Sequence, residues 1–480
     1  MVNSKLIRIL TVLSSDELKQ LEWFVKSVFY NENENLIQLY VYLRKQAPTW
    51  NSDKLDRKKV WKKLFPNTPF NEVACRKLMS NLVLVIEKFI VNELSASKQA
   101  DISRLFHFYN NRYLTKDAES SLKEWDEMQQ LTPVQNADFY QAQMEIAYNR
   151  MFIPSASMGI KSHSFVTDFI HTSDIQYIIT QLQWQSVMLN NAKVIAIEHH
   201  SPFIAAILAQ IEQDPKWLAI PAIYIYYHLY KMIEKPDELH FYDKLNEASQ
   251  KYAVYLSWNE WVYIASFLQN YCIRQSLAGQ ETFREKLHDL YAHNLKTGLI
   301  FSYNRLKPNT FRNIVSTAVE CKKTQWAFDF ITEYKDKLPE DEQESLVAYC
   351  FALVYFEEQK FKEVLFHLNQ APKTADIFQE LRIKTLRIKV FYELADVDSM
   401  NAALDALKMH ISRQETLSDF YKTRFKNFAN FLYRICYLSE MEKEKWKKLY
   451  QELRETNPKD FYDKDWLLKK VIEKGKILNG

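Results

Sequence analysis

Glycine is nearly missing from this chain, with 5 among 480 residues, where average usage is about 7%. Glycine supplies the positive φ that tight turns, two-residue hairpins and phosphate-cradling loops need. Its scarcity argues against sheet-rich and nucleotide-binding folds alike. The motifs point the same way: there is no P-loop, no G-x-G-x-x-G, no H-E-x-x-H and no G-x-S-x-G. The expectation is a non-enzymatic chain with no catalytic residues, no cofactor and no metal. A surplus of charge of one sign is lacking too, since 63 basic residues face 60 acidic ones. No global field draws in nucleic acid or a membrane, so any basic site must be local. The five cysteines (Cys75, Cys272, Cys321, Cys350, Cys436) are odd in number and scattered, without a C-x-x-C pair. That pattern fits reduced thiols and a cytoplasmic setting better than a disulfide framework or a zinc site.

Long apolar runs are also lacking. The run that follows Arg8 ends within five residues at Ser14, Ser15, Asp16 and Glu17, too short for a signal-peptide core. The most apolar stretch, Trp217 to Ile233, is interrupted by Pro221, His228 and Lys231. It falls short of the roughly 18 uninterrupted apolar residues of a membrane span. No membrane association is expected.

Helix signals, by contrast, run the length of the chain. Ser14 with Glu17 three residues on is a capping-box pattern, and Leu18, Leu21, Val25 and Val28 follow on one face. Leu36, Leu39, Tyr40 and Leu43 repeat that period, and Leu78, Leu82, Val85 and Phe89 form another stripe. No period-2 strand stands between the turn signals. Breaks are expected at 48–53, 66–71, 132–135, 154–157, 214–216, 235–237, 306–310 and 457–460.

From about residue 234 the helices look paired at a recurring spacing. Trp326 and Phe361 each follow a polar turn and open an apolar helix, 35 residues apart, and the turn at 395–398 lies about 37 beyond Phe361. Weaker counterparts, Phe241 and Phe283, precede their successors by 42 and 43 residues. Periods of roughly 34 to 47 residues mark stacked helix pairs. The run Ala352, Tyr355, Phe361, Val364, Leu368, Ala371 resembles the tetratricopeptide repeat, with a small residue, an aromatic three on, an aromatic at the turn, then small and large positions at helical spacing. Gln359 stands where that family usually has glycine, Val364 where it has alanine, and Leu368 where it has an aromatic. Tyr392, Ala402, Ala403 and Leu407 outline a second unit, and Trp326, Ala327, Ile331 and Tyr334 half of a third. The resemblance covers 310–409, weakens over 234–308 and is absent before that.

At full length the chain also looks like a bacterial family of helical-repeat proteins with no assigned activity. The residues that carry this are Leu13 to Leu18, Phe29 to Asn33, Leu64 to Pro66 with Arg76 to Ser80, and the segment Trp326 to Pro339. The resemblance implies architecture and no mechanism.

A few clusters invite a chemical reading. Between Asn51 and Phe70 six basic residues face two acidic ones. On a helix Lys58, Lys59, Lys62 and Lys63 share a broad face opposite Val60, Trp61 and Leu64, a surface suited to phosphates or a partner. The plainer reading is a solvated helix face. Tyr226 and Tyr230, four apart, could line a groove for a peptide, although aromatics in helical arrays mostly fill interhelical space. Glu198, His199 and His200 are the most metal-like run, but adjacent helical positions diverge. Asp460, Asp463 and Asp465 lack the glycine and distal glutamate of a calcium loop.

The sequence is therefore read as all-α: an α-solenoid of stacked, tetratricopeptide-like helical hairpins with a small helical N-terminal domain. Residues 1–115 form that domain, 116–233 irregular hairpins, 234–437 the solenoid and 438–480 a C-terminal helical cap. The expected function is a protein-interaction scaffold binding a protein or peptide on its helical-repeat surface. The alternative is a nucleic-acid-associated regulator using the basic N-terminal helix.

Overall fold

The computed structural model describes residues 1–480 except 2, 51, 95–96, 152, 154–159, 196–200, 303, 373–375, 415–416, 440, 457–460 and 477–480. Among the described residues the chain is all-α, 80% helical, and its 23 α-helices pack largely as sequential pairs. Among the described residues the only β-type pairing is an isolated bridge between Ser302 and Arg305. No helix among the described residues is long and apolar enough to cross a membrane. Contacts divide the chain into two compact units, 1–133 with 138–174, and 134–137 with 175–480.

The first unit holds α1 (Lys5–Val12), α2 (Ser15–Lys26), α3 (Glu34–Arg44), α4 (Arg57–Leu64), α5 (Glu72–Phe89), α6 (Lys98–Asn110), α7 (Thr115–Gln130) and α8 (Ala137–Met151). Helix α9 (Ile160–Ile195) contributes residues to both units. Ser14 opens α2 through a complete capping box: its hydroxyl accepts the Glu17 N–H, and Glu17 accepts the Ser14 N–H at 2.7 Å. Leu18, Leu21 and Val25 turn inward as the stripe requires. Val28 does not, because α2 ends at Lys26 and the chain turns at Ser27, which leaves Val28 exposed. Leu21, Val25, Leu39, Tyr40, Leu43, Leu82, Ile86 and Phe89 close the core between α2, α3 and α5. A second core joins α6, α7 and α8 through Ile102, Phe106, Leu122, Trp125 and Ile146.

The second unit continues with α10 (Ile204–Gln213), α11 (Pro221–Glu234), α12 (His240–Lys251), α13 (Trp258–Leu277), α14 (Thr282–Thr297), α15 (Pro308–Glu320), α16 (Thr324–Tyr334), α17 (Glu340–Glu357), α18 (Phe361–Gln370), α19 (Ile377–Glu393), α20 (Val397–Arg413), α21 (Asp419–Tyr437), α22 (Lys443–Glu455) and α23 (Lys464–Gly475). The pairs α11/α12, α13/α14, α15/α16, α17/α18 and α19/α20 follow one another. Phe241, Phe283, Trp326 and Phe361 all fall within the first three residues of the second helix of a pair, which is why their spacing records the pairing. Ala352, Val364 and Leu368 are buried where α17 meets α18.

The turns inside three successive pairs are alike down to their backbone bonds. Lys322, Gln359 and Ala395 adopt φ of 59°, 58° and 55°. In each case the following N–H reaches back five residues, Lys323 to Ala318, Lys360 to Tyr355 and Asp396 to Phe391, at 2.8, 2.9 and 3.0 Å. This is the left-handed helix stop that glycine usually serves. Gly279, at φ 90°, serves it between α13 and α14. A chain with five glycines builds the same turn from other residues.

Candidate functional site

The basic face on α4 is present and open. Val60 and Trp61 are buried, the Trp61 indole N–H donates to the carbonyls of Thr68 and Pro69, and Lys58, Lys59, Lys62 and Lys63 are exposed. None of the four lysines forms an ion pair among the described residues. Arg57 and Arg76, by contrast, both pair with Glu72.

The tyrosines of α11 sit differently. Tyr226 is fully buried and its hydroxyl donates to Glu260 at 2.9 Å, while Tyr230 is 7% exposed. They fill space between helices and present almost no surface to a peptide. His228 on the same helix contacts the Tyr224 carbonyl through Nδ1 at 2.7 Å, and burial lowers its pKa to about 4, so the ring is neutral.

Of the acidic triplet, Asp460 lies outside the described residues, as do Glu198, His199 and His200. Asp463 and Asp465 are structural. Asp463 meets the Lys389 ammonium of α19 at 2.6 Å, and Asp465 meets Arg284 of α14 at 3.0 Å. The Phe461 carbonyl accepts from Arg424 Nε and Nη2 of α21 at 3.1 and 2.9 Å, and the Trp466 indole donates to Glu393. The segment that opens α23 is thus tied to three earlier helices.

A three-residue set with metal-ligand chemistry, Glu285, His288 and Asp289, gathers its donor atoms within 4.8 Å. The chain supplies a cation there itself. The Lys323 ammonium lies 2.8 Å from Glu285, 3.1 Å from His288 Nδ1 and 3.9 Å from Asp289. The contact to Glu285 is the first cause of a raised Lys323 pKa.

An exposed aromatic ridge, which the repeat spacing does not reveal, stands on α20 and α21. Tyr433 and Tyr437, 49% and 55% exposed, hold their rings 4.5 Å apart. The Lys408 ammonium lies 5.8 Å from the Tyr433 ring, and Asn401 donates to the Tyr437 hydroxyl at 2.6 Å. Two tyrosines four apart on one helix face were the available signal, diluted among 28 tyrosines in the chain.

In a scan against protein-family models and in searches of curated proteins and solved structures, no match to this chain was found.

Proposed function

We propose that the chain is a non-enzymatic cytoplasmic scaffold: its helix pairs over 234–437 form a tetratricopeptide-like α-solenoid, flanked by the segments 1–115, 116–233 and 438–480, and it binds a protein partner on that surface. The observation that carries this reading is the Tyr433–Tyr437 ridge, anchored by Lys408 and Asn401. Tyrosine gives large, stiff contact area with a polar tip, and a few such side chains dominate many interfaces. Isolated exposed apolar groups need no explanation, but a tilted ring pair in contact, with its own cation and amide, is preorganised. The test is retention of proteins from an extract of the native cells by the immobilised full chain and by a Y433A/Y437A variant with an unchanged helical spectrum. The proposal expects a partner held by the first and weakened about tenfold or more in the second. An identical retained set from both would sink it.

A second reading, nucleic-acid association through α4, is favoured by one observation: four exposed lysines on two turns of helix, none paired among the described residues.

A further inference from the structure

From Ile175 to Asn190 helix α9 carries no charged residue. One side of this stretch is anchored in the second unit, where Ile175, Ile178, Ile179, Leu182 and Ser186 are buried. The opposite side of a surface helix ordinarily carries the charged groups that keep it in water. Here every exposed residue of the stretch is large and apolar: Tyr177 at 42%, Trp184 at 61% and Met188 at 38% exposure. Gln181, half-buried, completes the row, and its amide oxygen accepts from Gln185 Nε2 at 3.4 Å.

A single exposed apolar group needs no partner, but these lie in one line. Their spacing along the chain is four, three and four residues, the alternation that places side chains on the seam between two packed helices. At 3.6 residues per turn the row falls opposite the buried one.

Two features of the row select its occupant. The first is the lack of charge. A helix that lies on a membrane sets lysines and arginines beside its apolar row to meet lipid head groups, and this stretch has none. A charged partner surface would be desolvated against it with nothing to pair with. The second feature is symmetry. The spacing reads the same in both directions, so a second α9 laid antiparallel sets each Tyr177 against Met188 of the other copy and each Gln181 against Trp184. The two-fold axis then passes midway between Gln181 and Trp184. A two-fold interface has to be complementary to itself, and an uncharged row with reversible spacing meets that condition. The Met188 sulfur would lie against a tyrosine ring, a favourable contact. Both indoles would be buried near the axis, where the side chains that dominate an interface concentrate.

We infer that Tyr177, Gln181, Trp184 and Met188 form the seam of a homodimer in which two copies of the chain pair through antiparallel α9 helices. The inference does not rest on the partner-binding reading, whose tyrosines stand on α21. Two aromatics and two smaller side chains supply less than the roughly 800 Å² per partner of a standard interface. The dimer is accordingly expected to dissociate at about 1–50 µM.

Sedimentation velocity of the full chain from roughly 1 to 100 µM tests it, and a monomer–dimer equilibrium is expected. W184E should raise the dissociation constant about tenfold or more, with an unchanged helical spectrum because the side chain it replaces is exposed. Y177K and M188E should each weaken the dimer. The double variant Y177K/M188E should recover it, since antiparallel pairing sets the two new charges against each other, and high salt should erode that recovery. Parallel helices would set like charge against like, so a double variant that stays monomeric would overturn the pairing. Monomer at every concentration, a dimer indifferent to W184E, or association that continues past two copies would each overturn the inference. So would a monomeric chain that floats with phosphatidylcholine vesicles, which would assign the row to a lipid surface.

Discussion

Ala395 shows what a shortage of glycine costs at a single residue. It holds φ at 55° to stop α19, and its side chain is exposed, so the methyl gains nothing from packing. A left-handed conformation costs an L-residue about 1–2 kcal/mol, whereas glycine there forfeits roughly 0.5–1 kcal/mol of unfolded-state entropy. The difference favours glycine. Ala395→Gly is expected to stabilise the chain by about 0.5–1 kcal/mol, read as a higher urea midpoint at unchanged slope. A lower midpoint would mean that the turn is not the conformational bottleneck its φ indicates. Lys322 and Gln359 share the geometry, but the Lys322 side chain also pairs with Glu357. The composition alone hides these positions. A reader of the sequence looks for glycine at a left-handed stop, and here finds lysine, glutamine and alanine.

At the scale of elements the sequence was legible where local chemistry decides and opaque where distant groups do. The capping box at Ser14, the stripe through Leu82, Val85 and Phe89, and the pairing recorded by Phe283, Trp326 and Phe361 all follow from neighbours a few residues apart. The ammonium of Lys323 against Glu285 joins different helix pairs, and no spacing announces it. Helix α4 lies between these cases. Its amphipathic split is readable and realised, yet a solvated face and a phosphate-binding face have the same pattern. Salt separates them. Four lysines contacting phosphates release counterions with a log–log slope of about 0.9 per contact in B-DNA, so affinity should drop roughly a hundredfold across a fourfold rise in salt. Replacing Lys58, Lys59, Lys62 and Lys63 with glutamate should then abolish duplex binding in a fluorescence-anisotropy titration while the fold persists. Since the chain is nearly neutral overall and Trp61 already gives the helix a structural reason, the expected result is weak binding, lost at physiological salt in the wild type itself. Tight, salt-steep wild-type binding that the quadruple variant lacks would make the nucleic-acid reading the leading one.

On the scale of the whole second unit, sequential helix pairs contact mainly their neighbours, and stability made up of such neighbour terms can be lost from the ends inward. The segment opening α23 works against this by joining residues far apart in sequence, Asp463 to Lys389 and Asp465 to Arg284. The two ion pairs are not equivalent. Asp465 is 78% exposed, and an exposed pair contributes about 0–1 kcal/mol. Lys389 is 11% exposed, between the rings of Phe356 at 4.6 Å and Trp466 at 5.0 Å, so removing its carboxylate strands a largely desolvated ammonium. Such a loss costs about 3–5 kcal/mol when both partners are buried. Asp463 keeps 29% exposure and the rings still face the cation, which reduces the expected cost to about 1–3 kcal/mol. Asp463→Asn should therefore lower the urea midpoint clearly, and Asp465→Asn should leave it nearly unchanged. If the unit depends on this closure for its cooperativity, the Asp463 variant should also broaden the transition, as the pairs near α19 begin to unfold apart from those near α14. Equal, small effects from both substitutions would place the cooperativity of the unit in the neighbour-to-neighbour packing alone.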